Sequence, residues 1–254
     1  MNARRLLTAC AAACMALPIT ASATPSTQIW IPSTDIQAFL KPHIGWDIYL
    51  NAYGDGIISN GGLTIGVLPT KKIGLELGVD YRDLSGDHTY PWYLNAKLGL
   101  PEDAFFKHMP AFAIGIYDLG LKKDVSAYNV SYALLAKTIW KLGRFSFGGY
   151  KGGIGTDPKA LWLNKDGEVQ DMGALASWDR VMSELTDKLW LAIDFQSGSN
   201  GYGAISVGAS YNFAKNASVI VGYDYFLNPA LKPTVTVQFD INAWAGDKPS
   251  PKGE

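Results

Sequence analysis

From Ile73 to Arg82 the chain alternates without a break: Ile73, Leu75, Leu77, Val79 and Tyr81 fall on one face, Gly74, Glu76, Gly78, Asp80 and Arg82 on the other. Successive side chains of an extended strand point to opposite sides, so this period of two predicts a strand with one apolar and one polar face. The pattern returns at Tyr90 to Leu100, where Trp92, Leu94, Ala96 and Leu98 oppose Tyr93, Asn95, Lys97 and Gly99. It returns again where Leu189, Leu191, Ile193 and Phe195 oppose Lys188, Trp190, Asp194 and Gln196. No stretch after residue 24 is apolar for long enough to be a membrane helix. Twenty-seven glycines, 13 tyrosines and eight tryptophans favour strands and turns.

Read this way, the chain predicts about twelve strands, at 38–52, 62–69, 72–83, 90–100, 110–118, 126–138, 143–151, 172–183, 188–197, 202–213, 217–226 and 234–242. Most are near the nine to eleven residues that a tilted membrane strand needs. The second is short, the eighth has no clearly apolar face, and 28–32 is a candidate for one strand more. The connections sort by parity. Thr70-Lys71, Ile139 to Leu142, Glu184 to Asp187 and Ala214 to Asn216 are tight turns at one end, whereas Tyr53 to Gly61 and Gly152 to Asp171 are long and fall at the other. Pro101 to Met109 and Gly198 to Gly201 break the rule. Membrane barrels separate short turns from long loops in this manner.

Residues 1–23 read as an export signal: Arg4 and Arg5, an apolar run from Leu6 to Leu17, then Ala21-Ser22-Ala23 as cleavage site. Leu7-Thr8-Ala9-Cys10 is a rival lipidation motif, and Ala11-Ala12-Ala13-Cys14 a weaker one. Both cysteines lie in this segment, so the remaining 231 residues (254 minus 23) carry no disulfide and no thiolate chemistry. Without Arg4 and Arg5 the formal charge is 20 minus 23, or −3, which suggests no nucleic acid partner. The expected organisation is a signal at 1–23, an N-terminal segment at 24–36, a barrel at 37–244 and a polar tail at 245–254.

The export signal, the alternation and the parity of the turns resemble the bacterial outer-membrane β-barrel, porin-like proteins. Tyr93-Leu94-Asn95-Ala96-Lys97-Leu98-Gly99, Ala176-Ser177-Trp178-Asp179-Arg180 and Asp187-Lys188-Leu189-Trp190-Leu191-Ala192 are also similar to an uncharacterised exported barrel family of Gram-negative bacteria. The resemblance implies an all-β fold, a closed antiparallel up-and-down transmembrane β-barrel of about twelve strands in the outer membrane, with membrane lipid and small polar solutes as partners. One departure is the polar tail after Phe239, Ile241 and Trp244, where such barrels commonly end on an aromatic residue. Trp46, Tyr90, Trp92, Trp140 and Trp244 are candidates for interfacial girdles.

If the apolar face meets lipid, the polar face lines the lumen. The expected pore-lining residues are then Asp47, Glu76, Asp80, Arg82, Asn95, Lys97, Asn129, Lys188, Asp194, Gln196, Asp224, Gln238 and Asp240. His43 shares their face by alternation, although its nearness to Trp46 suggests an interfacial place. Glycines on that face, among them Gly74, Gly78, Gly99, Gly208 and Gly222, leave room for water or for an inner side chain. Carboxylates outnumber bases, so the expectation is a passive channel for small polar solutes with a slight cation preference. The alternatives are a non-conducting structural or adhesion barrel, with its inner charges paired, and a lipid-acting membrane enzyme.

Catalysis has little support in the residues. His43, His88 and His108 stand in no recognisable hydrolase arrangement, and no spacing suggests a metal or another cofactor. Asp55-Gly56 and Asp87-His88 read as turns, and Gly152-Gly153-Ile154-Gly155 precedes no helix. The long segment 152–171, with Trp162, is expected to be a solvated loop rather than a constriction.

Overall fold

The computed structural model describes residues 26–51, 56–84, 89–123, 125–155 and 160–243. The signal, Cys10, Cys14, Asp55, Asp87, His88, Trp244 and the polar tail lie outside the described residues. Twelve strands are formed: β1 Pro42–Asn51, β2 Ile57–Gly66, β3 Gly74–Leu84, β4 Trp92–Leu100, β5 Ala111–Gly120, β6 Val130–Ile139, β7 Gly143–Lys151, β8 Met172–Val181, β9 Leu189–Gln196, β10 Ala204–Ala214, β11 Ala217–Phe226 and β12 Thr234–Asn242. Each pairs antiparallel with its neighbours in the chain, and β1 closes on β12 from His43↔Asn242 to Asn51↔Thr234. Closure leaves no strand edge unpaired, which is the condition for putting a sheet into hydrocarbon.

The alternation becomes the inside and outside of this cylinder. On β9, Trp190, Ala192, Asp194 and Gln196 are buried, while Ile193 between them is 48% exposed. Ile44, Leu63, Leu77, Leu94, Ile114, Leu135, Val207, Val221 and Phe239 are likewise exposed on the outer face of their strands. A soluble protein does not carry an apolar surface around its whole girth, and such a wall is stable only against lipid. The protein is a transmembrane barrel. Tyr90 and Trp92 sit on its outside at the loop mouth, Trp140 at the turn mouth and Trp46 midway along β1.

The second strand departs from expectation. It runs over residues 57–66 rather than 62–69, so the turn to β3 is 67–73 rather than Thr70-Lys71, and the β1–β2 loop shrinks to 52–56. Asn60-Gly61-Gly62 looks like a turn, but it lies mid-strand for a packing reason. Gly61 stands on the outer face between Trp46 and Tyr81, its direct partners on β1 and β3. On the inner face, a Cβ at Gly62 would come within 2.6 Å of an Asp80 carboxylate oxygen.

The cylinder is not hollow. Residues 26–38 enter at the turn mouth, fold back through a tight hairpin at 27–32 and fill the lumen. Gln28 N–H donates to Ile31 O at 2.8 Å and Ser33 N–H to Ser26 O at 3.2 Å, closing the hairpin. The expectation of an extra strand at 28–32 therefore fails: Pro32 has no N–H to give a ladder, and the segment turns instead of extending.

Candidate functional site

The inner wall is written by the same alternation that sets the outer one. Asp47, Glu76, Asp80, Arg82, Asn95, Lys97, Asp194, Gln196, Asp224, Gln238 and Asp240 all lie on the inner face of their strands. Asn129 sits at the loop mouth just before β6, where its side-chain amide donates to Ile154 O at 2.9 Å. Lys188 is in the turn preceding β9. His43 is not interfacial: it is buried against Asp240 (3.2 Å) and Asn242 (3.3 Å), because its phase on β1 turns it inward.

Four of these groups, Glu76, Lys97, Asp194 and Gln238, hold the hairpin, together with Asp179. Asp194 Oδ2 accepts three consecutive backbone N–H groups, from Ile29 and Trp30 at 2.9 Å and from Ile31 at 3.3 Å. Gln238 Nε2 donates to Ile29 O at 2.7 Å, and Gln28 Nε2 donates to Asp179 Oδ1 at 3.0 Å. Glu76 accepts from the Ser26 hydroxyl and the Gln37 N–H, each at 2.8 Å, and lies 3.7 Å from Lys97, whose ammonium also reaches Ser26 O. The wall glycines make the space. A Cβ at Gly74 or Gly99 would strike Ile36, and one at Gly208 or Gly222 would strike Ile29, at 2.6–2.9 Å.

At the loop mouth the hairpin meets a second stopper. Trp162 is 1% exposed, so segment 152–171 turns inward at this residue rather than lying solvated. Its ring stacks on Tyr202 at 4.6 Å, and both pack with Ile31 of the hairpin, Val130, Tyr132 and Leu175. Apolar burial of two large rings outweighs solvation of the loop. Tyr202 in turn donates to Asp118 at 2.7 Å, and Asp118 holds Arg82 through both guanidinium nitrogens at 2.6 and 3.2 Å.

Several of these residues escape sequence reasoning. Asp118 faces inward because a β-bulge at Leu94/Ala96 breaks the phase of β5, and its φ of 52° is the mark of that irregularity. Asp179 and Arg144 lie on β8 and β7, and β8 is the strand without a clearly apolar face. Asp35, on the hairpin, carries no periodic signal at all. Arg144 Nη1 lies 2.7 Å from both oxygens of Asp35, while its Nε donates to Asp179 at 2.9 Å.

Charge on the inner wall is unbalanced. Asp47, Glu76, Asp80, Asp118, Asp179, Asp194, Asp224 and Asp240 face only Arg82, Lys97, Arg144 and the titratable His43. Among the described residues, Asp194 Oδ1, Asp240 Oδ2 and Ser210 Oγ are buried without a protein hydrogen-bond partner. Among the described residues, no group of three or more His, Cys, Asp and Glu side chains is arranged to hold a metal ion.

No protein-family model matches the sequence, and no curated protein matches it. Among solved structures the chain is similar to the Salmonella typhi outer membrane phospholipase dimer with bound calcium, at 13% identity and a TM-score of 0.48, over 78% of this chain and 90% of that one. It is similar to an outer membrane channel from Pseudomonas putida F1, at 13% identity and a TM-score of 0.48, over 83% and 99%. It is similar also to the NanC porin, at 7% identity and a TM-score of 0.45, over 79% and 98%. At these values neither lipolysis nor conduction carries over to this chain.

Proposed function

We propose that the protein is an outer-membrane channel for small polar solutes that its own N-terminal hairpin, residues 26–38, holds shut. The observation that carries this reading is how the hairpin is held. Its tip hangs by three backbone N–H groups from a single carboxylate, Asp194. Water can replace these backbone contacts at modest net cost, while Ile29 and Ile31 add apolar packing against Trp190 and Trp162. The wall behind it suits a wet passage. Its carboxylates exceed its bases, and among the described residues Asp194 Oδ1, Asp240 Oδ2 and Ser210 Oγ have no protein partner, which suits contact with water. The excess of carboxylates favours cations.

A non-conducting structural barrel is the second reading, and the Trp162–Tyr202 stack over the hairpin favours it. Bilayer recording separates the two. The full chain is expected to be silent or nearly so, and a folded barrel lacking residues 26–38 to pass ions. A second arrangement guards against misfolding of the deletion. No cysteine follows Cys14, so Gln28→Cys and Asp179→Cys, joined by a reducible bifunctional thiol reagent, should lock the channel until the link is cleaved. A folded deletion barrel without conductance sinks the channel reading.

A further inference from the structure

At the turn mouth a groove of about 690 Å³ opens between the β6–β7 turn and the β8–β9 turn, a size that suits a small molecule. Its charged lining is Lys141, Arg144 and Arg180 against Asp35, Asp179 and Glu184. Three bases and three carboxylates cancel. Asp35, however, belongs to the hairpin and is its only charged residue. Take Asp35 away and the groove is left with a net charge of +1, centred on Arg144.

We propose that this groove is a receptor site for a small organic carboxylate, which takes the place of Asp35 on Arg144 and so loosens the hairpin. The proposal rests on the reading of the hairpin as a plug. Asp35 itself shows what the site accepts, since both its carboxylate oxygens lie 2.7 Å from one guanidinium nitrogen. The two partners are unequal. The Asp35 side chain is 38% exposed and the Arg144 side chain 15%, so water and ligands reach the carboxylate side of the pair first. Arg144 stays in place when Asp35 leaves, because Asp179 holds its Nε, and Asp179 is fixed in turn by the Trp190 indole N–H at 3.1 Å. A carboxylate arriving from solution thus meets a preset arginine, and exchange costs no net ion pair. Trp140, 84% exposed on the rim with the Lys141 ammonium 5.2 Å over its ring, adds an aromatic edge for the remainder of the ligand. Because the ligand and Asp35 compete for one site, ligand binding and hairpin docking oppose each other.

Benzoate and its neutral isostere benzamide are suitable probes on the full chain in lipid vesicles. Calorimetry should show saturable binding of benzoate and none of benzamide. Asp35→Asn removes the competitor and should bind benzoate at least tenfold more tightly than the unaltered chain. Benzoate should raise the conductance of the unaltered chain several-fold, and Asp35→Asn should conduct without it. Arg144→Gln should abolish the response to benzoate, and Arg144→Lys, which keeps the charge but not the fork, should recover only part of it. Equal affinity of Asp35→Asn and the unaltered chain, or equal binding of the two probes, overturns the site. If the barrel lacking 26–38 conducts while benzoate neither binds nor opens the full chain, this inference falls and the plug reading stands. If the deletion barrel is silent but benzoate still binds Asp35→Asn more tightly, the plug reading falls, the loosening falls with it, and the carboxylate site alone survives.

Discussion

Asp194 and Trp30 are 164 residues apart in the chain and meet inside the barrel, where Asp194 Oδ2 accepts the Trp30 N–H at 2.9 Å. The neighbouring N–H groups of Ile29 and Ile31 turn to the same oxygen. Asp194→Ala leaves three buried donors without an acceptor, at roughly 1–3 kcal/mol for each that water cannot reach. Asp194→Asn keeps one acceptor oxygen and loses the charge. Amide hydrogen exchange at residues 29–31 should therefore accelerate modestly in the asparagine variant and about tenfold or more in the alanine variant. Unchanged exchange in both would mean that the carboxylate is not what holds the hairpin tip.

The contact between Ile29 and the wall gives a steric counterpart. A Cβ at Gly222 would lie 2.8 Å from Ile29 Cγ2 and 2.9 Å from Thr236 Cγ2, so Gly222→Val cannot coexist with the seated hairpin. Because Thr236 belongs to the wall, Gly222→Val is combined with Thr236→Ser, which removes that methyl, and the expected result is a displaced hairpin, read as raised conductance and as new protease cleavage near residue 30. Gly61→Ala is the control. Nothing lies within 4 Å of a Cβ there, so its effect should stay within about 0.5 kcal/mol.

The barrel is legible in the sequence because lipid on one side and polar groups on the other impose a strict period of two, and eleven of the strands, β2 aside, follow from that period to within a few residues of their observed ends. Where another force overrides the period, legibility stops. Gly61-Gly62 imitates a turn because glycine carries no face, and only the flanking Trp46 and Tyr81 reveal why it belongs in a strand. Asp118 is hidden by the bulge on β5. The hairpin is illegible for a deeper reason. Ser26 to Ala38 is mostly small, polar and aperiodic, and its structure comes from groups such as Glu76, Asp179, Asp194 and Gln238, far away in the chain. Inner glycines such as Gly99 and Gly208 announce room for a side chain but not whose.

The outer wall makes its own prediction. Leu77 is 45% exposed on the outer face of β3, flanked across the sheet by Ile65 and by Ala96 at the centre of β4. Leu77→Arg puts a cation at hydrocarbon depth and should destabilise the folded barrel by about 2–4 kcal/mol, measured by urea titration of folding into vesicles. In detergent micelles, where water is close, the penalty should shrink. An equal and negligible effect in both media would argue that this face meets no bilayer.

Ion selectivity follows from Asp47, Asp80 and Asp240, which gather over a floor of glycines. Across the sheet the inner face runs Asp240, Gly45, Gly62, Asp80, and Asp47 stands in the adjacent row beside Gln238 and Asn60. Without side chains at Gly45 and Gly62 the carboxylates share one shallow hollow, and the cation at the end of the Asp47 row, Arg82 opposite Asn60, is bound to Asp118 at 2.6 Å. In a barrel lacking residues 26–38, cations passing the hollow meet concentrated negative potential and anions are repelled. The reversal potential across a potassium chloride gradient should therefore report cation preference. Asp47→Asn together with Asp80→Asn should lower the cation-to-anion permeability ratio several-fold, an effect that fades at molar salt as screening shortens to about 3 Å. An anion-selective barrel, or a ratio that ignores both substitutions, would show that the carboxylates are paired or protonated in the open state and do not choose what passes.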